Sequence, residues 1–197
     1  MGTGRALIAS GSETGLDAVA GFVKQCGCQD VSVVASGDQA RRMLQQDSFD
    51  LLIIHTPLKD ELGTALALQM SESTSAGIIL ICRTDMAEVM SSRTVDRGVF
   101  VVTKPLNKSM FHQAIRQGLA VRRRLQGMKQ ENARLQKKLE ELRYVSRAKC
   151  LLIERETMTE LQAHRHIEKL AMDTRRTRKE VALELIAAYD SAQDAIS

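Results

Sequence analysis

Residues 50–63 read DLLIIHTPLKDELG: four branched apolar residues, Leu51 to Ile54, end at His55 and turn through Pro57 towards Gly63. A run this short, apolar without alternation and closed by a proline-containing turn, is the pattern of a strand buried on both faces of a parallel sheet. Four more such runs occupy the first hundred or so residues: RALIAS (5–10), DVSVVAS (30–36), GIILIC (77–82) and VFVVT (99–103). Helical-period segments lie between them, LDAVAGFV (16–23), ARRMLQ (40–45), GTALALQM (63–70) and AEVMSSRTV (87–95), and would cover both faces. Strand and helix repeated five times predict a five-stranded, doubly wound parallel α/β sheet, whose working groups gather at the carboxyl ends of the strands. His55 is thereby a candidate site residue.

Beyond Pro105 the pattern is all-α. From Asn107 to Leu142 only the single glycines Gly118 and Gly127 interrupt, which allows one helix of about 36 residues and about 54 Å. Within it Val121, Leu125, Met128, Asn132, Leu135, Leu139 and Leu142 alternate in spacing between four and three. That is a heptad seam with Leu125, Asn132 and Leu139 at a, and an Asn at a fixes register in two-stranded coils. A parallel homodimer is expected, the alternative being that these leucines pack on the chain's own domain. Three shorter helices should follow, at about 145–156, 159–172 and 177–190. Thr159 with Glu160 in its first turn, and Thr177 three residues before Glu180, mark two of the starts. The expected organisation is an α/β domain over 1–120, a coiled-coil linker over 121–144 and a small three-helix domain over 145–197. A core of about 45 residues is small, so attachment to a dimeric coil would help to stabilise it.

Charge divides the chain in the same way. Residues 1–100 carry 8 Lys or Arg and 12 Asp or Glu, residues 101–150 carry 13 and 3, and residues 151–197 carry 7 and 9. An acidic front followed by a strongly basic middle suits a regulatory module joined to one that meets a polyanion, or else a solvated lysine-rich helix. Cys26, Cys28, Cys82 and Cys150 have no metal-ligand spacing, so reduced thiols and no metal or other cofactor are expected. No apolar run reaches the ~18 residues of a membrane span, and MGTGRALIAS lacks the features of a secretory leader, so a cytoplasmic protein without membrane partners is expected. Two tyrosines, four phenylalanines and no tryptophan leave few surfaces on which bases could stack.

Five strands, a loop-facing group after the third, and Lys104-Pro105 after the fifth resemble the receiver domain of two-component response regulators, over about residues 4–120. The resemblance implies an acidic pair after the first strand, a phosphoryl-accepting Asp after the third, a Ser or Thr after the fourth and a Lys after the fifth. In this chain Ser10 and Gly11, His55 and Cys82 stand at the first three places, and Lys104 alone matches. Mg²⁺ needs oxygen ligands, so aspartyl phosphorylation at the usual site and Mg²⁺ binding there are not expected. Asp60 and Glu61 lie further along the loop, at a distance that argues against them as substitutes. Val101 stands where the family's switching aromatic belongs, with Phe100 beside it. A catalytic or phosphoacceptor histidine needs a partner for its other nitrogen, and no neighbouring sequence feature supplies one. A structural or ligand-sensing role for His55 in a degenerate receiver is the reading.

From Ala148 the chain runs AKCLLIERETMTELQAHRHIEKLAMDTRRTRKEVALELI, which is similar to the ANTAR domain of transcription antitermination regulators. The matching features are Ala148-Lys149 followed by Leu151-Leu152, then Thr159-Glu160, Ala163, Ile167, Ala171-Met172 before a basic turn, and Val181-Ala182. The family usually carries Gly at the Cys150 position and near Thr157, and this chain has neither. Leu152, Ala163, Ile167, Leu170, Ala171, Val181 and Leu185 read as core at helical spacing. Arg147, Lys149, Arg155, His164, Arg165, Lys169, Arg175, Arg176, Arg178 and Lys179 form the candidate RNA surface, some of them free to pair instead with Glu154, Glu156 or Glu168. The resemblance implies binding of paired stem-loops in a leader transcript by a dimer that makes no covalent bond and is no enzyme. Control would come from a protein partner, a small ligand or subunit association. A DNA-binding response regulator using its last helix, and a coiled-coil adaptor with a merely solvated basic face, are the alternatives.

Overall fold

The structure is a computed structural model that describes residues 4–194. Residues 1–3 and 195–197, the outer ends of the expected 1–120 and 145–197 domains, lie outside the described residues. The chain forms two compact units, one up to residue 128 and one from residue 129.

In the first unit β1 (Gly4–Ser10), α1 (Leu16–Gln25), β2 (Cys28–Val34), α2 (Gly37–Gln46), β3 (Leu51–His55), α3 (Thr64–Ser73), β4 (Gly77–Arg83), α4 (Ala87–Thr94) and β5 (Val99–Lys104) alternate as expected. The sheet is parallel throughout, in the order β2-β1-β3-β4-β5. β3 lies at its centre and is buried along its whole length. Successive residues of a strand face opposite sides, so Leu52 and Ile54 join the α2–α3 layer with Leu66 and Met70. Leu51 and Ile53 join the other layer, with Val19, Val23, Phe111 and Ile115. Each fully buried Leu or Ile contributes about 2 kcal/mol through burial. β2 departs from the expected two-sided burial: it is an edge strand, and its Val33 is half exposed.

The helix after β5, α5 (Lys108–Glu156), runs for 49 residues and contributes to both units. The separate helix expected at 145–156 is instead its continuation, because nothing between Leu142 and Val145 breaks the helical backbone. Gly118 has a packing reason. A Cβ on Gly77 of β4 would lie 2.3 Å from the Gly118 carbonyl oxygen, so strand and helix meet backbone to backbone there. Gly127 has none, since a Cβ there would enter open space.

In the second unit, the last part of α5 packs with α6 (Glu160–Thr174) and α7 (Arg178–Asp194). Val145, Ala148 and Leu152 meet Ala163, Ile167 and Ala171, together with Val181, Ala182 and Ile186; Leu170 and Leu185 are half-buried against them. Thr159 caps α6 in a capping box completed by Gln162. Thr177 accepts from the Glu180 N–H at 3.2 Å while the Glu180 carboxylate accepts from the Thr177 N–H at 2.8 Å, which starts α7 in the same way. α5 ends on Thr157, whose φ of 54° is left-handed. Glycine would adopt this conformation without strain. A β-branched residue there costs roughly 1–2 kcal/mol, part of which glycine would return through its freer unfolded chain. Thr157→Gly is therefore expected to stabilise the second unit by about 1 kcal/mol, raising its Tm by about 5 °C. Tyrosine fluorescence reads this directly, because Tyr144 and Tyr189 are the two tyrosines and both lie beyond residue 128.

Candidate functional site

Parallel register brings the carboxyl ends of the strands level. Ser10 of β1 lies opposite His55 of β3, and Cys82 of β4 lies opposite Thr103 of β5, one residue before Lys104. Ser10 Oγ donates to the Ser12 carbonyl at 2.7 Å and sits 2.9 Å from His55 Nδ1. Since the hydroxyl has one proton and the Ser12 carbonyl takes it, the ring donates its Nδ1–H and keeps its Nε2 lone pair. No neighbour in sequence supplies this partner: Ser10, 45 residues away, holds the ring. Both side chains are buried. Burial and then the charge of Lys104 push the imidazole below its ordinary pKa, so it is neutral.

Lys104 Nζ donates to the Thr56 carbonyl at 2.9 Å, and burial lowers its pKa as well. The Thr56 hydroxyl donates to the Ile81 carbonyl at 3.0 Å. Cys82 is buried, which raises its thiol, and it serves as core. Gly11 is held by the loop after β3: its N–H donates to the Pro57 carbonyl at 3.2 Å, and a Cβ there would lie 2.6 Å from that oxygen. No side chain fits at Gly11 without moving the loop. Asp60 accepts from the Gly37 and Asp38 N–H groups at the start of α2, at 2.8 and 3.1 Å, and those bonds lower its pKa. Glu61 pairs with Arg41 at 2.7 Å. Both acids are committed to α2. The donors at this strand end are a hydroxyl, a neutral imidazole and a lysine, a set that does not fit Mg²⁺.

Neutral His55 ties stability to pH. Its folded pKa lies below the ordinary value of about 6.5, so the unfolded chain binds the extra proton first and stability falls as pH drops through that window. Carboxylates with lowered pKa, such as Asp60, lose their contribution only at more acid pH. The urea midpoint is expected to fall between pH 7 and pH 5, and to fall less in His55→Gln. An unchanged pH profile in that variant would show that His55 is not the group responsible.

In the second unit the candidate RNA residues divide into two sets. Lys149 pairs with Glu160 at 3.0 Å, Arg176 with Glu184 at 2.5 Å, Arg178 with Glu141 at 2.9 Å and Lys179 with Glu140 at 2.7 Å. Arg147 approaches Asp190 at 3.5 Å, and His164 approaches Glu168 at 3.3 Å. Arg155 is exposed near the end of α5. Arg165, Lys169 and Arg175 make no ion pair among the described residues, and all three are exposed. Leu161, Arg165, Lys169 and Met172 follow one another at spacings of four, four and three, which places them on one face of α6. Leu161 is 59% exposed and Met172 72%. Sequence reasoning does not place Leu161 on this surface, although its position four residues before Arg165 is an available signal.

Arg175 follows α6 in the left-handed region, with φ of 53°. The Arg176 N–H donates to the Ala171 carbonyl at 3.0 Å and the Arg175 N–H to that of Met172 at 3.3 Å, the pattern of a Schellman end. Glycine would be the unstrained residue there. Along α5, Leu125, Met128, Leu135, Leu139 and Leu142 are between 39% and 61% exposed in the single chain, so its own core does not cover them.

Residues 133–186 match the ANTAR domain family. Over 177 residues the chain is 26% identical to the transcriptional regulatory protein PdtaR of Mycobacterium tuberculosis, covering 89% of this chain and 86% of that one. The first unit has the fold of the signal receiver domain of an HD domain-containing protein from Pseudomonas fluorescens Pf-5, with TM-score 0.57 and 18% identity over 64% of this chain and 95% of that one. It is also similar to a CheY-like response regulator receiver domain protein from Methanospirillum hungatei JF-1, with TM-score 0.55 and 19% identity over 62% and 98% of the two chains. No helix among the described residues is long and apolar enough to cross a membrane. The chain thus joins a receiver-like sheet through a long helix to an ANTAR domain, and over most of its length it is similar to a transcriptional regulatory protein.

Proposed function

We propose that the chain is a cytoplasmic, RNA-binding antitermination regulator that grips paired stem-loops of a nascent leader transcript as a dimer, and so keeps a terminator hairpin from forming. The observation that carries this reading is the exposed face of α6, where Arg165 and Lys169 stand without ion-pair partners among the described residues, between Leu161 and Met172. Such a face suits RNA loops, since the cations meet phosphates while the apolar side chains meet unstacked bases. Arg175 extends it, a charged residue held in a strained end that glycine would close more easily. Arg176, Arg178 and Lys179 would join only by exchanging a carboxylate for a phosphate.

The receiver unit supports a signal that arrives without aspartyl phosphate. His55 stands where the acceptor would be, Gly11 has no room for an acid, and Lys104 is bonded to the Thr56 carbonyl. Control by a protein partner, a small molecule or subunit association follows. The test is competition on the full chain between a pool of tandem RNA hairpins with randomised loops and duplex DNA of equal length, at matched salt. Retention of RNA with at least a tenfold preference is expected. A preference for duplex would replace this reading with a DNA-binding response regulator, and salt-independent indifference to both would leave an interaction adaptor.

A further inference from the structure

Apart from Arg122, the cations of α5 nearest the sheet have no carboxylate partner among the described residues. From Lys108 to Gln130 the helix carries no Asp or Glu, yet it carries Lys108, Arg116, Arg122, Arg123, Arg124 and Lys129. Of these, Arg122 alone forms an ion pair among the described residues, with Asp50. The contrast with the ANTAR unit is direct, since Lys149, Arg176, Arg178 and Lys179 there are each matched by a carboxylate. At 100° per residue, Lys108, His112, Arg116 and Arg123 fall within a sector of about 80°, at least about 100° from any of Val121, Leu125 and Met128 on the nearly opposite side of the helix. A coiled-coil partner on that seam would leave the cations open.

Lys108, Ser109, His112, Gln113, Arg116 and Gln117 line an open groove of about 760 Å³ with no carboxylate in its wall. His112 Nε2 is buried there and makes no hydrogen bond among the described residues. Phe22 of α1 backs the groove, its ring 5.4 Å from that of His112 and 6.0 Å from Lys108 Nζ. We infer that this face of α5 is a second RNA-contacting surface, on the receiver unit, that takes backbone phosphates. The inference rests on the RNA-binding function proposed above and adds to it a surface outside the ANTAR domain. Lys108, Arg116 and Arg123 stand eight and seven residues apart, which is about 12 and 10.5 Å along a helix and roughly twice the separation of successive phosphates on a polynucleotide strand. Groups that touch only phosphate hold RNA without reading its sequence.

The experiment uses the full chain and a pair of RNA hairpins whose loops are selected on it from a randomised pool. Affinity is measured against salt for the wild type and for the triple variant Lys108→Gln/Arg116→Gln/Arg123→Gln, which changes only exposed side chains. The slope of log K against log salt is expected to fall by about 2, at roughly 0.7 for each single-strand phosphate no longer neutralised, and affinity at low salt by about tenfold or more. The ranking of different loops should not change. Crosslinking of 4-thiouridine RNA to wild-type peptides within 108–124, mapped by mass spectrometry, tests the surface without any variant. An unchanged slope, or no crosslink in that stretch, overturns the inference while RNA binding itself stands. Failure to select any RNA removes the proposed function and this surface together. Tighter binding of polyglutamate than of RNA through the same three residues would assign the face to an acidic protein and overturn it as well.

Discussion

Replacing Leu135 and Leu139 together by glutamate is expected to convert a dimer into a monomer and to weaken binding to a tandem hairpin pair by about 10²–10⁴-fold, with little change for a single hairpin. The two leucines are 53% and 61% exposed in the single chain and lie beside Asn132 in the heptad seam, so changing them leaves the chain's own core intact. Two acids on each strand of a coil would place like charges at a and d positions that otherwise exclude water. The large factor does not come from the RNA-facing side chains. Two weak hairpin interactions joined through one scaffold act with an effective concentration that a monomer lacks. Sedimentation reads the first effect, and titration of single against paired hairpins reads the second. A variant that becomes monomeric yet keeps full tandem affinity would sink the bivalent reading, and one that stays dimeric would place the interface elsewhere than the seam.

Much of this architecture is legible in the sequence because its signals are local. The run Leu51 to Ile54 marks a central strand, and Thr159 and Thr177 mark helix starts that both form as capping boxes. What is not legible depends on partners distant in sequence. The DVSVV run looks like the other strands, and only sheet order shows that β2 is an edge. Ser10 and His55 meet because two parallel strands end level, a fact of register that 45 intervening residues do not encode locally. The pairing of Lys179 with Glu140, across 39 residues, is of the same kind. Sequence position alone does not separate basic residues already neutralised, such as Arg178 and Lys179, from those still open, such as Arg165 and Lys169. The helix boundary expected near Leu142 is absent for another reason. The exposed seam ends at Leu142 and the core residues Val145, Ala148 and Leu152 follow at steps of three, three and four, so the buried face shifts by one position while no residue there breaks the helix.

Asp50→Ala is expected to cost the receiver unit at least about 3 kcal/mol, a large share of the roughly 5–15 kcal/mol that holds a domain together. Asp50 stands just before β3, where one carboxylate oxygen accepts from the Arg5 N–H at 2.7 Å and the other from Arg122 Nε of α5. The Arg122 side chain is only 10% exposed. Removing the acid strands a guanidinium in the interior and leaves the Arg5 N–H without its partner, and both losses are desolvation costs that nothing repays. The pair itself is a different quantity. Asp50→Leu/Arg122→Met removes both charges and substitutes apolar groups, so it should recover much of what Asp50→Ala loses, because an intact buried pair contributes little net stability over a hydrophobic replacement. Urea denaturation followed by far-UV circular dichroism, with hydrogen exchange over β1, β3 and β4, measures each variant. Tyr144 and Tyr189 give a separate signal from the ANTAR unit. If the double variant is no more stable than Asp50→Ala, the cost lies in the shape of the site rather than in an unpaired charge.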